Sequence, residues 1–107
     1  MNTGEIEAAE VKRKLDRGDD FLLLDVREPH EHKIASIQGA RLIPLGEFAK
    51  HVSEFDPQAD IVIHCKSGMR SAKACGVLRN AGFTNVRNMK GGILAWSQHV
   101  DPSVPKY

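Results

Sequence analysis

The sequence predicts an α/β domain with a mainly parallel sheet of four to five strands flanked by helices. Three observations lead there. Short, wholly apolar runs alternate with amphipathic stretches along the chain, the pattern of strand–helix–strand units. Two of the runs, "FLLLDV" and "DIVIHC", are apolar on both faces, as strands covered by helices on either side must be. The chain has 107 residues, of which 41% are hydrophobic, enough for one core and one domain.

Taken in order, "EAAEVKRKLDRG" sets Ala8, Val11 and Leu15 on one helical face, and Gly18 can end that helix in the left-handed conformation. "FLLLDV" is a buried strand that stops at Asp25. In "EPHEHKI", Pro29 occupies a first helical turn, where a missing N–H costs nothing. "GARLIP" is a short strand closed by Pro44. "LGEFAKHVSEF" spaces Leu45, Phe48, Val52 and Phe55 as one face of a helix, and "DPQAD" turns the chain. "DIVIHC" is the most strand-like run. A helix from about Ser71, "SAKACGVLRNAG", follows it and is capped by Gly82. "NVRNM" is a strand and "KGGILAWSQHV" a short helix in which Trp96 reads as core or as a lid over the helix, rather than as a ligand platform. The single domain covers 1–107, with its core from about residue 6 to 99. The proline-bearing segment 100–107 reads as a loosely held tail.

Charge and composition exclude several classes of function. A formal net charge of +1 offers no electrostatic case for nucleic acid or for an anionic membrane. No apolar run approaches the roughly 20 residues of a membrane-spanning helix. The first residues, "MNTGEIEAAEVKRKLD", are too polar for a signal peptide. Two cysteines are too few for a disulfide framework, which points to a reducing, cytoplasmic setting. Five histidines (His30, His32, His51, His64 and His99) show no metal-ligand spacing, and no cofactor motif is present.

The chemistry concentrates after the strand that ends at Cys65. Ligands of open parallel sheets sit beyond the carboxyl ends of the strands. Lys66, Ser67, Gly68, Met69 and Arg70 follow the cysteine and lead into a helix near Ser71. Such a loop turns successive N–H groups inward, and the helix adds the positive end of its dipole. Every one of these neighbours favours a thiolate, so Cys65 is a candidate nucleophile that needs no helper base. Arg70 adds a permanent cation at a helix start, an unfavourable place unless an anion offsets it. Lys66 divides evenly between ligand contact and solvated loop charge. Ser67 and Ser71 are candidate ligand contacts, though helix capping suits one of them better. Asp25 and Arg27, in "DVRE", are candidate acid–base groups, but a structural ion pair that braces the backbone near the site is the preferred reading. His64 adjoins Cys65, but neighbouring strand residues point to opposite faces, so it is not the base. Cys75 lies at helical spacing from Ser71 and Leu78 and reads as packing rather than as a resolving thiol.

At these residues the chain resembles a known family. "CKSGMRS", Cys65 to Ser71, is similar to the active-site loop of rhodanese-domain sulfurtransferases. "LLDVREPHEH", "IQGARLIPLGEF" and "GFTNVRNMKGGILAWSQHV" resemble the family's other segments in the same order. "KGGILAW" with the tail "VDPSVPKY" is especially similar to the C-terminal rhodanese domain of fused adenylyltransferase–sulfurtransferases, whose clients are ubiquitin-like sulfur carriers. Ala35–Ser36 and Gln38 depart from the Gly–His and proline common in the family, at positions that shape a connection rather than the chemistry.

The resemblance implies a sulfurtransferase that carries sulfane sulfur as a Cys65 persulfide. The loop amides from Lys66 to Ser71 would hold the persulfide, and Arg70 and Lys66 would orient an anionic donor such as thiosulfate or a protein persulfide. A sulfur carrier or adenylyltransferase would be a possible partner. Two other readings compete. One is a non-enzymatic rhodanese-like interaction module, against which the intact Cys65 loop speaks. The other is a cysteine-dependent phosphatase of a related fold. Four residues separate Cys65 from Arg70, one fewer than the phosphatase signature has, and the tighter loop suits sulfur better than a phosphoryl group.

Overall fold

The computed structural model describes residues 4–107. Five strands form one wholly parallel sheet: β1 (Glu5–Ile6), β2 (Leu22–Asp25), β3 (Arg41–Leu42), β4 (Ile61–His64) and β5 (Val86–Met89). Their order across the sheet is β1-β5-β4-β2-β3. The central strand β4 is buried along its whole length, which accounts for its unbroken apolar sequence. Four helices connect the strands, α1 (Ala8–Arg17), α2 (Pro29–Ile34), α3 (Leu45–His51) and α4 (Met69–Asn80), and α5 (Gly92–His99) follows β5. No helix of the described residues is long and apolar enough to cross a membrane.

The helices cover both faces of the sheet and divide the core in two. One cluster gathers Phe48, Ala74, Cys75 and Leu78 against Leu24, Ile61 and Ile63. The other gathers Ala8, Val11, Ile93 and Trp96 against Leu23, Val62 and Met89. Cys75 and Trp96 therefore both stand in the core. The burial of an apolar side chain of this kind is worth roughly 1.5–3 kcal/mol, so each cluster fixes its helices firmly against the strands.

Several sequence expectations need correction. The two-residue strand β1 was not evident: its pairing with β5 supplies hydrogen bonds that so short a run cannot announce. The α3 pattern breaks at His51 into a single 3-10 turn (Val52–Glu54), which still delivers Phe55 to the core. The inward face of α1 includes Lys14, whose ammonium is 2.6 Å from Asp60, while Leu15 is only half-buried. Helix α4 begins at Met69, not Ser71, and its N-cap is Gly68, so neither serine caps it. The segment 100–107 is anchored rather than loose. Val104 is buried, its carbonyl accepts the Ser97 hydroxyl at 2.6 Å, and Tyr107 reaches the residues around Cys65.

Candidate active site

Strand β4 delivers Cys65 to the carboxyl edge of the sheet, where the thiol is almost wholly buried at 1% exposure. The loop must then reverse within three residues, and Gly68 takes φ +112°, a conformation that side chains disfavour. That turn aims the Gly68 N–H at the Cys65 sulfur, 3.1 Å away. Ser71, in the first turn of α4, brings its hydroxyl to 3.3 Å from the same sulfur. Burial alone would push the thiol up. The Ser71 hydroxyl and the backbone N–H groups of Ser71, Gly68 and Ser67 outweigh it and hold the pKa below the ordinary thiol value.

Asn88, at the end of β5, braces this cradle. Its amide N–H donates to the Gly68 carbonyl at 2.9 Å, and its side-chain oxygen accepts the Ser71 hydroxyl at 2.6 Å. The Ser71 hydroxyl has one proton for two acceptors, so the backbone amides are the donors that the sulfur does not share. Helix α5 clamps the loop from outside: the Ile93 N–H donates to the Cys65 carbonyl at 2.9 Å and the Leu94 N–H to the Lys66 carbonyl at 3.2 Å. This close approach requires Gly92, where a Cβ would stand 2.3 Å from the Lys66 carbonyl oxygen. Sequence reasoning overlooked both residues. The paired glycines of "KGG" were the available signal for Gly92, whereas an asparagine late in a strand gives none.

The two cations of the loop have different fates. Arg70 forms a bidentate pair with Glu31 of α2, at 2.6 and 2.9 Å. The anion that offsets this arginine at the helix start is thus a carboxylate of the chain itself. Arg70, in turn, holds the Glu31 carboxyl well below the usual carboxylate range. Lys66 instead places its ammonium over the Tyr107 ring, 4.5 Å from the centroid. Met69 is 77% exposed at the lip of the loop and Ser67 is exposed beside it.

Beneath this rim lies a buried ion pair. The Asp25 carboxylate accepts Arg27 Nε at 2.9 Å and Nη2 at 2.7 Å, and neither side chain is exposed. Arg27 also donates to the carbonyl of Ala35 and to the Tyr107 hydroxyl, bracing the connection after α2. His64, also buried, directs Nδ1 to the Cys65 carbonyl at 3.3 Å and leaves Nε2 without a hydrogen-bond partner. Burial pushes its pKa down to about 4, so the ring is neutral near pH 7. The Cys75 thiol is pushed up to about 11, again by burial. A concavity of about 630 Å³ lies at the opposite, amino-terminal ends of the strands around Leu22, Asp60 and Asn85, and neither cysteine lines it.

Comparison with known proteins shows the family and the fold. The family model for the rhodanese-like domain matches residues 7–99. A sulfurtransferase of Allochromatium vinosum is 37% identical over 100 residues, covering 94% of this chain and 94% of its own length. A probable adenylyltransferase/sulfurtransferase of Mycobacterium tuberculosis is 36% identical over 104 residues, covering 95% of this chain but only 26% of the relative. A chloroplastic rhodanese-like/PpiC domain-containing protein of Arabidopsis thaliana is 42% identical over 93 residues, which are 83% of this chain and 31% of that protein. The chain thus spans under a third of the latter two relatives and nearly all of the first. Among solved structures, a rhodanese-like domain protein of Staphylococcus aureus superposes with a TM-score of 0.83 at 28% identity, covering 98% of this chain and 99% of its own.

Proposed function

Because the chain belongs to the rhodanese-like domain family, we propose that it is a sulfurtransferase moving sulfane sulfur through a persulfide on Cys65. The observation that carries this reading is the cradle itself: a buried sulfur at a strand end, with the Gly68 N–H 3.1 Å away and a thiol pKa held below its ordinary value. In the first half-reaction the Cys65 thiolate attacks the outer sulfur of a donor such as thiosulfate. The donor S–S bond breaks, sulfite leaves with the electron pair, and a cysteine persulfide anion remains. The donors that favour a thiolate suit this terminal anion equally well. In the second half-reaction a thiophilic acceptor attacks the outer sulfur. With cyanide the products are thiocyanate and the original thiolate.

A protein persulfide could replace thiosulfate with the same chemistry. Similarity to the mycobacterial adenylyltransferase/sulfurtransferase supports a sulfur carrier or an adenylyltransferase as a partner. The phosphatase reading loses ground on geometry, since Arg70 is bound to Glu31 instead of facing into the loop as a free phosphoryl clamp.

The test is direct. The protein is incubated with thiosulfate, its intact mass is measured for the gain of one sulfur atom, and cyanide is added to release thiocyanate. The wild type and Cys75→Ser are expected to take up sulfur and Cys65→Ser to take up none. Sulfur uptake and turnover by Cys65→Ser would disprove the mechanism.

A further inference from the structure

The segment 100–107 ends in the site. Ser97 and Val104 lay the segment against α5, and Tyr107 sits where three functional residues meet. Its hydroxyl accepts Arg27 Nη1 at 2.8 Å and donates to Glu31 Oε2 at 2.8 Å. Its ring lies under the ammonium of Lys66, the residue next to the nucleophile. Of the two cations in the loop, Arg70 is already neutralised by a bidentate carboxylate. Lys66 has no carboxylate partner among the described residues.

We propose that Tyr107 is a positioning residue of the sulfur-transfer site: its ring holds Lys66 as the cation that meets the anionic end of a donor, while Arg70, locked to Glu31, organises the loop. The two hydrogen bonds of the hydroxyl orient the ring, and the ring's negative face attracts the ammonium without cancelling its charge, as a carboxylate would. A lysine on a flexible stem is thereby kept at the entrance instead of dispersing into solvent. The site so built prefers donors with an anionic end. The proposal deepens the sulfur-transfer reading and rests on it for the nature of the donor.

Alkylation tests the arrangement apart from sulfur transfer. The Cys65 thiolate displaces iodide from iodoacetamide, which is neutral, or from iodoacetate, which is anionic; a C–S bond forms and a C–I bond breaks in each. The ratio of the iodoacetate rate to the iodoacetamide rate reads the cation at the entrance. Lys66→Met should lower that ratio about three- to tenfold at low salt. Tyr107→Leu should lower it about two- to fivefold, the scale of a cation–π contact. Tyr107→Phe, which keeps the ring, should retain the larger part of the preference. In a Lys66→Met background, Tyr107→Leu should have no further effect. Near-UV circular dichroism checks folding, and Tyr107→Met replaces the leucine variant if the latter does not fold. An unchanged ratio in Tyr107→Leu, or an equal effect of that substitution with and without Lys66, would overturn the proposal. Because this readout needs no sulfur transfer, a failed thiosulfate assay with an intact ratio would count against the proposed function and not against the arrangement. With thiosulfate as donor, the same variants should raise KM with little change in kcat.

Discussion

Substituting Gly92 by alanine should damage the fold and the site together. The glycine has φ +60°, and alanine in the left-handed region costs roughly 1–2 kcal/mol. Its Cβ would stand 2.3 Å from the Lys66 carbonyl oxygen and 2.7 Å from that of Cys65. Both contacts are to backbone, which no side-chain rotation can relieve, so α5 and the loop must separate by several tenths of an ångström. Overpacking of this kind costs about 1–3 kcal/mol. The combined loss of about 2–5 kcal/mol corresponds to a fall in Tm of roughly 8–20 °C for a domain of this size. Separation also stretches the bonds from Ile93 and Leu94 to the carbonyls of Cys65 and Lys66, and so slackens the cradle. Thermal unfolding measures the first effect, and the pH dependence of Cys65 alkylation by iodoacetamide measures the second, with the thiol pKa moving up. Gly76→Ala is the control. It lies in α4, where an added Cβ would meet nothing within 4 Å, and should be neutral or stabilising by up to about 1 kcal/mol. If Gly92→Ala melts within about 2 °C of the wild type and leaves the alkylation profile unmoved, α5 does not clamp the loop.

Three further outcomes are expected. Ser71→Ala removes the hydroxyl donor 3.3 Å from the Cys65 sulfur, the first of the donors that lower the thiol pKa, so the alkylation midpoint rises toward the free-thiol value of about 8.5. His64 binds its proton only near pH 4 when folded but near its ordinary value when unfolded. The unfolded state therefore holds more protons between about pH 6.5 and 4, and stability should fall as pH drops through that window. Chemical denaturation should show a weaker loss in His64→Gln, and the His64 ring should not titrate by NMR between those limits until pH nears 4. Cys75, buried and pushed up to about 11, should resist iodoacetamide at pH 8 in the folded protein and react in denaturant, as peptide mass mapping would show.

Much of the fold was legible because period and length settle it locally. Runs such as "DIVIHC" are too short and too apolar for anything but buried strands, and Gly18 and Gly82 mark helix ends by the conformation they alone adopt cheaply. The boundaries were harder. Helix α4 starts two residues before Ser71 because Gly68 turns the chain there, a choice made by the need to point N–H groups at the sulfur rather than by capping chemistry.

The Cys65 loop and the donors it turns toward the sulfur follow from local sequence alone. A cysteine at the end of a buried strand, followed by a short glycine-bearing turn into a helix, meets backbone amides wherever the rest of the chain goes. What surrounds that loop is a matter of packing. Asn88, Glu31, Gly92 and Tyr107 lie far from Cys65 in the chain, and their contacts depend on how α2, α5 and segment 100–107 settle against the carboxyl edge of the sheet. Packing gave Arg70 to Glu31 and Lys66 to Tyr107. Local pattern cannot separate two cations in one loop, because which of them finds a carboxylate is settled by residues brought near only when the core closes.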